Sequence, residues 1–144
     1  VDLIDIGVNL AHRSFQSDRD AVIARAADAG VRRMIVTGTS IVSTREAIAV
    51  ARSKPGLLFA TAGIHPHDAK TATPEALSEL AELARSPEVR AIGECGLDFD
   101  RDFSPRAVQE AVFVAQLELA STTGQPLFLH ERAAHERFVA LLKP

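Results

Sequence analysis

"RAIGECGLDFD", from Arg90 to Asp100, carries an apolar run into a glycine and then into a carboxylate, Glu94. The run begins at Val89 and is interrupted only by Arg90, so it reads as a strand buried on both faces. A strand suited to a protein interior that stops on Glu asks for a partner for that charge. Four other short apolar runs share the design: "LIDIGVN" (3–9), "RRMIVTGT" (32–39), "LLFATAGIH" (57–65) and "PLFLHE" (126–131). At or near their C-terminal ends stand Asn9, Thr39, His65 and His130, as Glu94 does at the end of "VRAIGE" (89–94).

The segments between the runs carry helix punctuation. Ser17 is an N-cap candidate with Gly30 as the stop, and "STRE" (43–46) has the spacing of a capping box. "TPEA" (73–76) and "SPRA" (104–107) place Pro directly after a Thr or Ser cap, where its missing N–H costs nothing. Gly124 closes the helix after Ser104, and a last helix is expected over about 133–142. The order is β-α repeated five times, which implies a parallel sheet. In a closed barrel all five polar strand ends converge on one mouth, where active sites are built. An open doubly wound sheet is the competing architecture, but no Gly-rich phosphate loop follows the first strand. Five units in 144 residues give about 29 per unit, so eight would need roughly 230, a common barrel size. The expectation is one domain over residues 1–144, forming the first five units of a (β/α)8 barrel whose last three are absent.

Composition narrows the class. The chain is 47% apolar and 24% charged, with 16 Lys+Arg against 19 Asp+Glu and a net charge of −3. No apolar stretch reaches the roughly 18–20 residues needed to span a bilayer, and no secretory leader is recognisable. Cys95 is the single cysteine and has no internal disulfide partner. A cytoplasmic protein without membrane contact is expected. No basic block is present to grip a polyanion by charge alone, so a nucleic-acid ligand would need another anchor, such as a bound cation.

Glu94 and His130 are a normal ligand pair for a divalent metal. The competing reading is a Glu and a His facing solvent at loop starts, or a Glu paired with an Arg. In "GIHPHD" (63–68), His65 is placed to donate a hydrogen bond to a phosphate oxygen or to pass a proton to a leaving group. A packed loop histidine is the alternative, and His67 reads as structural or solvent-facing. Arg132, two residues past His130, could clamp a phosphate or pair with a neighbouring carboxylate. Asn9 shares a strand face with Asp5 and offers an amide to a metal or a phosphate. Cys95 should face away from Glu94 because adjacent strand residues alternate. Phe99 and Phe103 serve either base stacking or packing.

In this order, "DIGVNL", "TGT", "TAGIHPHD", "AIGECGLDF", "PLFLHER" and "AHERF" resemble the TatD family of metal-dependent deoxyribonucleases over essentially the whole chain. The resemblance implies a (β/α)8 barrel of the metal-dependent hydrolase type that cleaves DNA phosphodiesters, typically as an exonuclease. It places metal ligands at Glu94 and His130 and a phosphate-adjacent His at His65. Many members begin D-x-H-x-H and use both His for a second metal. Gly7 and Asn9 stand there instead, as in the bacterial branch that begins "DIGVN". One strong site for Mg, Mn or Zn is therefore expected, with a weak second site at most, through Asn9 and water. The family's further His ligand and catalytic Asp come from strands beyond the fifth. Single-stranded or damaged DNA is the implied substrate, with RNA a further candidate and DNA repair or degradation the implied setting. The 144-residue chain alone is expected to be inactive. Two other readings are an amidohydrolase or esterase on the same barrel, and a non-catalytic scaffold with a decayed metal site.

Overall fold

The structure, a computed structural model, describes residues 1–143. Five strands, β1 (Leu3–Val8), β2 (Val31–Val36), β3 (Leu58–Ala62), β4 (Val89–Asp98) and β5 (Leu127–Arg132), form one parallel sheet in sequence order. Five helices alternate with them: α1 (Arg19–Asp28), α2 (Ile41–Ser53), α3 (Pro74–Leu83), α4 (Arg106–Thr123) and α5 (His135–Leu142). Each strand pairs with its sequence neighbour, so the sheet winds in one direction and curls into half of a barrel. The curl brings its two edge strands together: a Cβ on Gly7 of β1 would come within 2.8 Å of the Phe128 ring of β5.

The main core lies where helices cover the sheet. Met34, Val36, Leu58, Ala60 and Ile92 from the strands meet Ala47, Ile48 and Ala51 of α2 and Leu80 of α3. A second cluster joins Cys95 and Leu97 of β4 to Phe113 of α4 and Phe138 of α5, whose rings stack at 5.2 Å. No helix among the described residues is long and apolar enough to cross a membrane.

Several local expectations hold. Thr73 caps α3, with Pro74 in the first turn and the Thr73 Oγ1 accepting from Ala76 N at 3.2 Å. Gly124 ends α4 in the left-handed conformation, φ 68°. Others change. Ser17 does not cap α1; Asp18 holds that position, without a side-chain cap bond. At α2 the cap is Ser40, and Ser43 sits three residues inside the helix. Ser43 N donates to Ser40 Oγ and Ser40 N to Ser43 Oγ, a capping box built from two serines. Ser104 leaves the cap of α4 because its hydroxyl donates to His67 O at 2.9 Å and accepts from Lys70 N at 3.1 Å.

The largest change falls on the opening stretch. β4 does not stop at Glu94. It continues to Asp98, with Gly96 paired to His130 and Asp98 to Arg132. Gly93 and Gly96 make this possible: both have positive φ, and a Cβ at either would collide with a β5 carbonyl, that of Phe128 or of His130.

Candidate metal centre

His65, just past β3, converges with Glu94 of β4 and His130 of β5, and one ligand atom from each lies within 4.8 Å of the others. Backbone bonds from the β2–α2 turn fix two of them. Thr39 O accepts from His65 N, and Gly38 O from Glu94 N, both at 2.8 Å. The turn stays open for this because its own N–H groups are satisfied by side chains, Gly38 N by Thr61 Oγ1 and Thr39 N by Ser43 Oγ. β2 therefore ends at Val36, three residues short of Thr39.

The three residues are not equivalent. His65 Nδ1 accepts a hydrogen bond from His67 N at 3.2 Å. An accepting Nδ1 in a neutral imidazole puts the ring proton on Nε2, and Nε2 is the atom that faces Glu94 Oε1, 3.7 Å away. Burial first, and then the neighbouring His130 and His67 rings, push the His65 pKa from 6.5 down to about 4. At neutral pH the ring is thus an uncharged Nε2–H donor aimed into the cluster.

His130 has the opposite character. Its Nδ1 lies 3.2 Å from Glu94 Oε1, whereas its Nε2 is buried with no hydrogen-bond partner among the described residues. The nearest carboxylate oxygen to that Nε2, Asp98 Oδ2 at 3.4 Å, already pairs with His67 Nε2 at 2.6 Å. A buried imidazole nitrogen without a partner is uncommon, and a cation would satisfy it. A carboxylate together with an imidazole nitrogen is also a donor set that first-row divalent metals take. Glu94 and His130 fit a metal, while His65, through its fixed tautomer, fits a hydrogen-bond donor beside it.

Behind this front lies a pair that the sequence did not reveal as functional. Asp98 is fully buried, and its Oδ1 accepts from Asp100 N and Arg101 N at 3.1 and 2.8 Å. Burial alone would raise its pKa. The Arg101 N–H, the His67 ring and the Asp100 N–H outweigh that and hold it down at about 2. The ionised Asp98 can only accept, so His67 Nε2 donates to it, and His67 is tied into the site rather than simply facing solvent.

Two buried glutamines of α4 hold the backbone of both layers. Gln116 Oε1 accepts from Ile64 N at 2.8 Å, and its Nε2 donates to Ile64 O at 3.0 Å, next to His65. Gln109 makes the same double bond to Asp98, with N to Oε1 at 2.9 Å and Nε2 to O at 3.1 Å. Both are 1% exposed. Their seven-residue spacing, two turns of helix on the stripe facing β4, was the available signal.

Asn9 is exposed just past β1 and lines, with Phe15, Thr37, Thr39 and Ser43, a shallow groove of about 480 Å³. Arg132 Nε lies 3.2 Å from Asp100 Oδ2, so its guanidinium is held in an ion pair in this structure. Cys95 is fully buried on the face opposite the cluster, and burial, then the Glu94 charge, push its thiol up to about 12.

A sequence-family model described as "TatD related DNase" matches residues 4–144. This chain belongs to that family. TatD relatives described as 3'-5' ssDNA/RNA exonucleases are 52% identical in Musicola paradisiaca and 51% in Edwardsiella piscicida, each over 99% of this chain. The chain spans about half of their length, 54% and 55%. Among solved structures, a TatD homolog from Escherichia coli superposes with a TM-score of 0.87 at 29% identity, over 96% of this chain and 54% of that one. An uncharacterized amidohydrolase from Saccharomyces cerevisiae gives 0.88 at 29% identity, over 99% of this chain and 51% of the other. These TatD-type neighbours are TIM-barrel hydrolases, and the five strands here form the corresponding half-barrel.

Proposed function

We propose that this half-barrel belongs to a divalent-metal-dependent exonuclease acting on single-stranded DNA or RNA, with Glu94 and His130 as metal ligands and His65 as a donor to the substrate phosphate. The observation that carries the reading is the unpartnered, buried Nε2 of His130, on a ring whose Nδ1 lies 3.2 Å from Glu94 Oε1, in a family whose TatD relatives are described as 3'-5' ssDNA/RNA exonucleases. A bound divalent cation would supply Lewis-acid polarisation of a phosphoryl oxygen and acidify the attacking water. His65 directs its Nε2–H at the same point and stabilises charge that develops on the phosphoryl oxygens. Its low pKa leaves it without a proton to spare at neutral pH, which favours this role over delivery of a proton to the leaving oxygen. Asp98 keeps the His67 ring in place and so holds the backbone N–H that sets the His65 tautomer.

The test is hydrolysis of end-labelled single-stranded DNA and RNA by the full-length protein with Mg or Mn, with and without a chelator. Glu94→Ala and His130→Ala should each lower the rate by about a hundredfold or more and abolish metal binding in calorimetry. Chelator-resistant cleavage, or cleavage that survives Glu94→Ala, would sink the reading. The yeast neighbour described as an amidohydrolase supports a second reading, hydrolysis of an ester or amide; faster turnover of a carboxyl ester than of a phosphodiester would select it. The 144-residue chain on its own should show no turnover, because β5, which carries His130, is an unpaired edge and Glu94 and His130 alone are too few ligands for tight metal binding.

A further inference from the structure

Phe103 stands at the rim of the candidate metal centre, outside both hydrophobic clusters. It lies in the β4–α4 loop and is 53% exposed. Its ring is 4.7 Å from that of His67, which is 4.3 Å from that of His65. A single exposed Phe is ordinary, but the fixing of this one is not. The loop is tied on both sides of it. Arg106 Nη2 donates to Phe99 O at 3.0 Å and to Asp102 Oδ2 at 2.7 Å, and its Nε reaches both Asp102 oxygens. Ser104 is buried, donates to His67 O, and has its own carbonyl held by Gln109 Nε2 at 2.8 Å. Lys70 adds a charge at the same place: its Nζ donates to Phe103 O at 3.0 Å and forms no ion pair among the described residues. Of the two carboxylates on the loop, Asp102, next to Phe103, pairs with Arg106, and Asp100 pairs with Arg132.

We propose that Phe103 and Lys70 form a nucleotide seat next to the cluster, Phe103 stacking an unpaired base and Lys70 holding a phosphate of the same strand. The proposal rests on the nuclease reading above and names what that site recognises. A base–aromatic stack tolerates any sequence, because every base has a π face. It also requires a base released from its neighbours, so the seat selects single strands and frayed ends over intact duplex. An aromatic fixed before the ligand arrives avoids the ordering cost that a mobile side chain would incur on binding. Local charge at Lys70 lets a chain of net charge −3 hold a polyanion at this one point.

The full-length protein with Mn is assayed on a short single-stranded oligonucleotide and on methyl p-nitrophenyl phosphate, a phosphodiester with no base. Phe103→Ala should lower kcat/KM on the oligonucleotide by roughly 5- to 100-fold, the range of one lost base stack, and leave the small diester unchanged. Phe103→Trp should retain activity on both. An abasic substitution walked along the oligonucleotide should reproduce the loss at one position in the wild type and add nothing there in Phe103→Ala. Lys70→Ala should reduce the salt slope of oligonucleotide binding by about 0.7. Equal losses on both substrates would show that Phe103 only props His67 and would overturn the seat, as would no loss on either. If the wild type cleaves neither substrate, the nuclease reading fails by itself. Fluorescence anisotropy with a phosphorothioate oligonucleotide then decides the seat: weaker binding in Phe103→Ala upholds it, and unchanged binding refutes it.

Discussion

His65 and Asp98 show how two residues in one cluster respond to acid in different windows. The folded His65 has a pKa of about 4 against an ordinary 6.5, so between these values the unfolded chain binds a proton that the folded chain refuses. Stability contributed at this site is therefore complete above about pH 6.5 and is lost as the pH falls towards 4. Asp98 is depressed to about 2 from 3.8, so its contribution is present above about pH 4 and is lost between there and pH 2. Urea unfolding of the metal-free protein across pH 2–7 should show both limbs. His65→Asn should flatten the upper one only. Asp98→Asn should flatten the lower one and cost on the order of 2 kcal/mol at pH 7. An unchanged upper limb in His65→Asn would mean that burial does not hold His65 neutral.

Among the elements, α4 carries the most structural responsibility for the site. Gln116 satisfies both backbone groups of Ile64, and Gln109 both of Asp98, so one rigid helix sets the positions of the β3 and β4 side chains. Gln116→Leu keeps the volume but leaves a buried N–H and a buried C=O without partners. It should cost about 2–4 kcal/mol in urea unfolding and lower activity through misplaced His65. A loss below about 1 kcal/mol would show that water or a shifted backbone replaces the amide. The same element explains what was legible in the sequence. The strand and helix rhythm was, because Val- and Ile-rich runs alternate with local punctuation such as Thr73–Pro74 and Gly124, whose partners are a few residues away. Ser104 misled because its hydroxyl bonds to His67 O, 37 residues distant, in place of its own helix. Gly93 looked like the end of a strand, yet it and Gly96 allow β4 to press against β5 and carry on to Asp98. Glu94, His130 and His65 stood out as polar residues interrupting apolar runs, whereas Asp98 gained meaning only from His67, 31 residues away.

At the level of the whole molecule, the sheet closes on neither side. Among the described residues β1 pairs only with β2 and β5 only with β4, so each presents a row of unpaired backbone groups. β1 also exposes Leu3, Ile4 and Ile6 at 50, 55 and 62%, and β5 exposes Leu129 at 38%. Neighbouring apolar side chains on an open strand favour addition of another strand over a free edge in water. The 144-residue chain alone should therefore associate as its concentration rises, seen as a mass above 15.5 kDa in sedimentation or light scattering. Ile4→Lys with Ile6→Lys should shift it towards monomer, because a charge on an edge strand must be desolvated before a second strand can pair. Association that is indifferent to these substitutions would place the contact elsewhere. A monomer at all concentrations would mean that the curl placing the Phe128 ring against Gly7 already shields the edges.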